Sequence, residues 1–129
     1  MPPRADSTAP SATVTLTVGH ADTAVALGSG DVEVLATPRI VALCEEATCI
    51  AMVAQLEEGE TTVGTRVELA HLLPIAVGQQ VVAEATLEKT EGRRLTFTVS
   101  VTSEKGLVAA GKITRAVVVR KDFLERAGE

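Results

Sequence analysis

The stretch Ala36 to Leu56 (ATPRIVALCEEATCIAMVAQL) constrains the fold most, because it reads as a helix that is apolar almost all the way round. Thr37 is a good N-cap, since its hydroxyl can accept a hydrogen bond from a free amide of the first turn, and Pro38 suits the first helical position. The predicted helix runs to about Leu56 and is about 28 Å long. A helix that is apolar on nearly every side has to be enclosed by other elements.

Most of the remaining chain is strand-like, and Ala12 to Val18 and Arg94 to Thr102 alternate between apolar and polar residues with a period of two, which predicts β-strands. The predicted strands are Ala12 to Val18, Thr62 to Leu73, Gln80 to Lys89, Arg94 to Thr102 and Leu107 to Arg120. One strand, one long helix and then four strands is an α+β pattern with an antiparallel sheet. Such a sheet, wrapped around one long central helix, would enclose that helix, with a second subunit covering what remains. This is the layout of the hotdog fold.

The length of 129 residues suits one domain. We expect residues 1–11 to form a flexible N-terminal tail and residues 12–129 a single hotdog domain. The tail contains Pro, Ser and Thr but no apolar segment, which argues against a secretory signal. No run approaches the ~18 apolar residues that a membrane span needs. These features predict a cytoplasmic protein that does not contact membranes.

Composition argues against several kinds of partner. Aromatic residues make up 2% of the chain, so stacking platforms for single-stranded nucleic acid are not expected. The net charge is −5 without a basic block, which argues against nucleic-acid binding in general.

Cys44 and Cys49 lie about 140° apart around the helix axis, so we expect two free, buried thiols and a reducing compartment. The cysteines and histidines form no metal-ligand pattern, and no metal is expected.

Two carboxylates, Glu45 and Glu46, lie at the middle of the apolar helix, about 100° apart around its axis. A buried carboxylate is costly unless it is paired with a cation, or it has a raised pKa and works as a base or nucleophile. From the pattern alone, one exposed acid and one salt-bridged acid is the favoured interpretation. A catalytic role for one of them is the alternative.

Three further residues break the pattern of the predicted strands. His71 shares a strand face with apolar residues, where a histidine is more often structural than functional. Arg115 lies among apolar residues of the last strand and needs a carboxylate or phosphate partner, with Glu45, Glu46 or Glu68 as structural candidates. Gly64 interrupts a strand, which permits a bulge or the close approach of another group.

Several short motifs, taken in order, resemble the fluoroacetyl-coenzyme A thioesterase family of hotdog proteins. They are Ala36 to Gly64, Val67 to His71, Pro74 to Gly78, Thr90 to Leu95 and Thr114 to Val117. The resemblance covers about Val32 to Phe123. It implies subunits that associate as a homodimer or a dimer of dimers, with acyl-CoA bound near the subunit interface. Coenzyme A is then part of the substrate, and no other cofactor is implied.

The resemblance also implies roles for single residues. The catalytic threonine, glutamate and histidine of the family correspond to Thr37, Glu45 and His71. The glycine whose backbone amide helps to hold the thioester corresponds to Gly64, and an arginine near the site corresponds to Arg115. Thr37 would orient a group or act as the nucleophile, while Glu45 would activate a water or attack directly. The sequence does not choose between these routes.

The function implied is that of an acyl-CoA thioesterase that hydrolyses a small acyl-CoA thioester. The segment His20 to Ala36 is shorter than the aromatic-rich lid of the fluoroacetyl enzyme and contains no aromatic residue, so fluoroacetyl specificity is not implied. The main alternative is a non-catalytic hotdog protein that binds acyl-CoA or another small ligand. A hotdog hydratase or dehydratase and a purely structural dimer are further alternatives. Glu46 is expected to have a structural or solvent role.

Overall fold

A five-stranded antiparallel sheet packs against one long helix in the computed structural model, which describes residues 9–128. The strands are β1 Ser11–Thr17, β2 Glu60–His71, β3 Gln80–Glu91, β4 Arg94–Ser103 and β5 Gly106–Val119. The helices are α1 Ala24–Leu27, α2 Thr37–Met52 and α3 Arg120–Arg126, with 3-10 turns at His20–Asp22 and Val53–Gln55. The strand order is β1-β3-β4-β5-β2. The predicted antiparallel sheet around one long central helix is confirmed.

The boundaries differ from the predicted ones by a few residues. Helix α2 ends at Met52, and the chain continues as a 3-10 turn instead of reaching Leu56 as a regular helix. Strand β1 begins at Ser11, inside the segment predicted as a tail, and the Leu87 amide donates to the Pro10 carbonyl at 2.8 Å. The rest of the predicted tail, residues 1–8, lies outside the described residues. The helices α1 and α3 were not predicted.

The core is formed between one face of α2 and the inner face of the sheet. The buried residues of α2 recur every three or four positions and are Ile40, Leu43, Cys44, Ala47, Thr48, Ala51 and Met52. On β4 every second residue from Leu95 to Val101 is buried, and Phe97 is the largest fully buried side chain. The alternation predicted from the sequence thus places the apolar residues of β4 against the helix.

The opposite face of α2 and strand β2 remain exposed in the single chain. Val53 is 70% exposed just after α2, and Ile50 is about half exposed. Within residues 9–128, β2 pairs with β5 on one side and with no strand on the other, and Val67 in its middle is 40% exposed. The sheet of the single chain therefore encloses one face of the helix, and the covering of the other face by a second subunit stays a prediction. No helix between residues 9 and 128 is long and apolar enough to cross a membrane.

Candidate active site

The start of helix α2 differs from the prediction in one respect. The N-cap is Ala36, and Thr37 is the first helical residue, so the predicted capping role of Thr37 is wrong. Its hydroxyl oxygen instead lies 2.7 Å from Nδ1 of His71, the last residue of β2. A tertiary hydrogen bond therefore takes the side chain away from the amides of the first helical turn.

The hydrogen bonds of His71 define which ring nitrogen carries the proton. Its Nε2 lies 3.2 Å from the carbonyl oxygen of Leu73, and a carbonyl can only accept. Nε2 of the neutral ring is therefore the donor, and Nδ1 is the acceptor for the Thr37 hydroxyl. The Thr37 oxygen keeps its lone pairs for a third group. We call Thr37 and His71 the threonine–histidine pair.

A second set of polar residues lies further along α2. Arg115 Nη1 is 3.4 Å from Glu45 Oε2, and the two side chains are 7% and 36% exposed. Gly64 is the β2 partner of Arg115, and a Cβ at position 64 would overlap Glu45 Oε2. The strand pairing shifts between Gly64 and Arg66, as a bulge requires. Only glycine at position 64 lets the carboxylate lie in this place.

Thr62, which the sequence did not indicate as a functional residue, completes this second set. Its hydroxyl accepts from Arg115 Nε at 3.0 Å, and its carbonyl accepts from Arg115 Nη2 at 2.9 Å. Thr62 is two residues before Gly64 in the same strand, so both lie on the face of β2 towards Glu45. We call Glu45, Gly64, Arg115 and Thr62 the glutamate–arginine group. Arg115 has the carboxylate partner that was predicted, together with an uncharged one that was not.

The helix residues around Glu45 differ in exposure and ionisation. Cys44 is buried, and this burial, followed by the negative charge of Glu45, raises the pKa of its thiol to about 11. It therefore stays protonated and is a poor nucleophile near neutral pH. Cys49 is exposed, so of the two thiols predicted to be free and buried, both are free and one is buried. Glu46 is exposed, which fits the predicted solvent role.

The segment before α2 is tied to the start of the helix by Asp22. Its carboxylate accepts from the Gly19 amide and from Arg39 Nε, both at 2.8 Å, and its carbonyl accepts from the Ala36 amide at 2.9 Å. The bond from the Gly19 amide, followed by Arg39, lowers the pKa of Asp22 despite the opposing effect of its burial. The segment that stands in place of the fluoroacetyl enzyme's lid is therefore anchored to the start of α2.

A cavity of about 350 Å³ lies between the end of α2 and the start of β2. Its lining includes Cys49, Val53 and Leu56 from the helix side and Thr62 from the strand side. Thr62 also contacts Arg115, so ligand-sized space adjoins the glutamate–arginine group. A larger cavity of about 420 Å³ is lined by residues 78–82 and 102–105 and contains none of the candidate residues. Among residues 9–128 no group of three His, Cys, Asp or Glu side chains is arranged to hold a metal ion.

The structure thus brings the predicted residues together in two sets. Thr37 contacts His71, and Glu45 contacts Arg115 and adjoins Gly64. No hydrogen bond or ion pair joins the two sets within the described part of the chain. Thr37 and Glu45 are eight positions apart, which corresponds to about 12 Å along the helix axis.

Comparison with known proteins identifies the family. The family model of the fluoroacetyl-CoA-specific thioesterase matches residues 18–121. The chain belongs to this family. The fluoroacetyl-CoA thioesterase of Streptantibioticus cattleyicolor is 36% identical over 91 residues, which cover 70% of this chain and 66% of that relative. The family model and this relative therefore confirm the resemblance that was inferred from the short motifs.

Solved structures agree with this family and with the fold. The fluoroacetyl-CoA thioesterase FlK superposes with a TM-score of 0.87 and 30% identity over 92% of this chain and 93% of that chain. A thioesterase superfamily member from Thermus thermophilus has a TM-score of 0.82 and 27% identity over 90% and 86% of the two chains. A hot-dog-like protein from Thermanaerovibrio acidaminovorans has a TM-score of 0.85 at 24% identity over 92% and 88%, which bears on the fold alone. The predicted hotdog fold is confirmed.

Proposed function

We propose that this protein is an acyl-CoA thioesterase that hydrolyses a small acyl-CoA. The observation that carries the proposal is the Glu45 carboxylate, which is partly exposed, lies against Gly64 and touches one buried cation at 3.4 Å. Such a carboxylate is accessible to substrate and positioned to act as a base. Point mutants of FlK have been solved in complex with acetyl-CoA and with fluoroacetate and CoA, which supports a small acyl-CoA as the substrate class.

Glu45 and Gly64 act on the thioester directly in this mechanism. The Gly64 amide donates to the thioester carbonyl oxygen, where negative charge develops during the attack. The Glu45 carboxylate takes a proton from the attacking water and returns it to the departing sulfur of coenzyme A. Apart from coenzyme A in the substrate, the reaction needs no cofactor.

The threonine–histidine pair orients the attacking water. Because Thr37 donates its hydroxyl proton to His71, its oxygen is left as an acceptor for a proton of that water. The same geometry also suits Thr37 as a nucleophile whose proton His71 would take. A covalent acyl adduct on Thr37, detected by mass spectrometry after rapid quenching, would contradict the water route and support the nucleophilic one.

The active form is a homodimer in which each site uses both subunits. The unpaired edge of β2 and the exposed face of α2, with Ile50 and Val53, are the surfaces that a second copy would cover. The two sets of candidate residues lie about 12 Å apart along one helix. A two-fold partner would bring the threonine–histidine pair of one subunit to the glutamate–arginine group of the other.

The free thiols suit the reducing cytoplasm, which is the compartment we propose.

Heterodimers test the shared site. We expect Thr37→Val and Glu45→Gln homodimers to be inactive. A heterodimer of these two variants, purified through a different tag on each chain, should show about half of the wild-type activity per dimer, because one of its two sites is intact. Hydrolysis is measured as release of free coenzyme A thiol.

The matched control is a heterodimer of the wild-type chain with a chain that carries both substitutions. If each site uses both subunits, each site of this heterodimer lacks one residue, and activity should be lost. Half activity in this control, with none in the heterodimer of single variants, would contradict the shared site and place each site within one chain. Either pattern of activity is compatible with thioester hydrolysis.

A non-catalytic protein that binds acyl-CoA is the second candidate. The observation that favours it concerns the segment His20 to Leu35, which contains no aromatic residue that could cover the threonine–histidine pair. Its apolar residues Val25, Leu27 and Val32 are exposed. A binder would retain acyl-CoA without releasing thiol. The presence of Thr37, Glu45 and His71 in one chain favours the enzyme.

A further inference from the structure

We infer that Thr62 is a positioning residue for the proposed hydrolysis. It holds the Arg115 guanidinium away from the Glu45 carboxylate, so that the carboxylate stays available as a base. The inference rests on the proposed function of Glu45. Thr62 does not need to touch the substrate, because it acts through Arg115.

The distances indicate which partner holds the guanidinium. Thr62 accepts two hydrogen bonds from Arg115, at 3.0 Å from Nε and 2.9 Å from Nη2. Glu45 accepts one, from Nη1, at 3.4 Å. Charge-assisted N–H···O bonds are usually about 2.7–2.9 Å, so the contact to the carboxylate is long although opposite charges attract. The uncharged threonine therefore binds the cation more closely than the carboxylate does.

Burial makes the threonine hydroxyl necessary. Counted over the whole residue, Arg115 is 6% exposed and Thr62 is 8% exposed, so little water reaches the guanidinium where it contacts Thr62. A buried N–H that loses its acceptor is costly and turns towards another acceptor if one is within reach. Without the Thr62 hydroxyl, the Glu45 carboxylate is the acceptor already in contact with the same guanidinium. We expect the guanidinium to move towards it.

A closer guanidinium would weaken Glu45 as a base. It would stabilise the charged carboxylate and occupy the lone pairs that must take the proton of the water. The ionisable groups around Glu45 come from its own helix and from β5, since Gly64 and Thr62 on β2 do not titrate. Within one subunit they are Cys44, Glu46, Cys49 and Arg115, and in the proposed dimer the partner's His71 joins them. Arg115 is the cation in contact with Glu45, so its position decides whether the carboxylate lone pairs are free to accept the proton of the water.

The pH dependence of kcat/KM tests this role with Thr62→Val and Thr62→Ser. Valine has the shape of threonine without the hydroxyl, so it removes the acceptor of Arg115 Nε and leaves the backbone carbonyl that accepts from Nη2, whereas serine keeps both. For Thr62→Val we expect kcat/KM at neutral pH to fall about tenfold and the acidic limb of the profile to move to lower pH. Thr62→Ser should restore both to wild-type values. If Thr62→Val does not fold, Thr62→Cys, whose sulfur is a weaker acceptor, takes its place with the same expected direction.

A purely structural role for Thr62 would lower the melting temperature of Thr62→Val and leave its acidic limb in place. That result would overturn the inference. A crystal structure of the variant is a second readout, which does not depend on activity. We expect the distance from Arg115 Nη1 to Glu45 Oε2 to shorten from 3.4 Å to about 2.8 Å. An unchanged distance would also overturn the inference, whereas an inactive wild-type protein would count against the proposed function alone.

Discussion

Glu45→Gln is expected to lower thioester hydrolysis at least about 100-fold while the protein remains folded. Glutamine has nearly the same size as glutamate, but its amide cannot take a proton from water at neutral pH. Arg115 would lose its charged partner and keep its two hydrogen bonds to Thr62, so the buried cation stays satisfied. Because the Glu45 side chain is 36% exposed, we expect the free energy of unfolding to change by less than about 1 kcal/mol.

Glu46→Gln is the matched control for this variant. It makes the same chemical change one residue further along the same helix, where the side chain is exposed and outside both sets of candidate residues. Its kcat should equal that of the wild type. Equal losses in the two variants would indicate a general effect of helix charge and would contradict a specific role of Glu45. Circular dichroism and thermal unfolding establish that both variants are folded.

Gly64→Ala is expected to have the second large effect, a loss of about 100-fold or more in kcat/KM. The added methyl group would overlap Glu45 Oε2, so the carboxylate has to leave its place beside the Gly64 backbone. It would also lie 3.3 Å from Arg115 Nη1, which is closer than usual. Gly64 lies in an exposed part of β2, where alanine is tolerated by the strand, so stability should change by less than about 1 kcal/mol.

Gly19→Ala is the control for Gly64→Ala. A Cβ at position 19 would meet the Asp22 carboxylate at an ordinary distance of 3.6 Å, and Gly19 already has an extended backbone that alanine adopts readily. Its activity should be that of the wild type. Wild-type activity in Gly64→Ala as well would mean that the carboxylate does not need its place beside Gly64. A crystal structure of Gly64→Ala with Glu45 unmoved would mean the same.

The fold was predictable because its two main signals are local patterns. Helix α2 is long and has Pro38 in its first turn, and β4 alternates strictly from Leu95 to Val101. The exact ends were less predictable, because they depend on tertiary contacts. The helix start is an example: Thr37 has the chemistry of an N-cap, but its hydrogen bond to His71 outweighs local capping. Helix α3 follows β5 without an apolar pattern strong enough to predict it.

The candidate site was predictable where a polar residue contradicts an apolar pattern. Glu45, His71 and Arg115 were found in this way, Gly64 was noticed because it interrupts a strand, and the family resemblance added the proposed roles of Gly64 and Thr37. Thr62 gave no such signal, because a threonine in a strand is ordinary. Its role depends on the register that places β2 beside β5 and on the direction of the Arg115 side chain, and neither can be read from one strand. The separation of Thr37 from Glu45 likewise became apparent only in three dimensions.

The most direct test of the central claim is thiol release from acyl-CoAs by the purified wild-type protein. A panel from acetyl-CoA to medium-chain acyl-CoAs, with fluoroacetyl-CoA included, is followed with a thiol-reactive dye, and the free acid is quantified in the same samples. We expect turnover of at least one small acyl-CoA, with coenzyme A and free acid formed in equal amounts. Binding of coenzyme A or its thioesters without release of thiol from any member of the panel would contradict the thioesterase and support the non-catalytic binding protein.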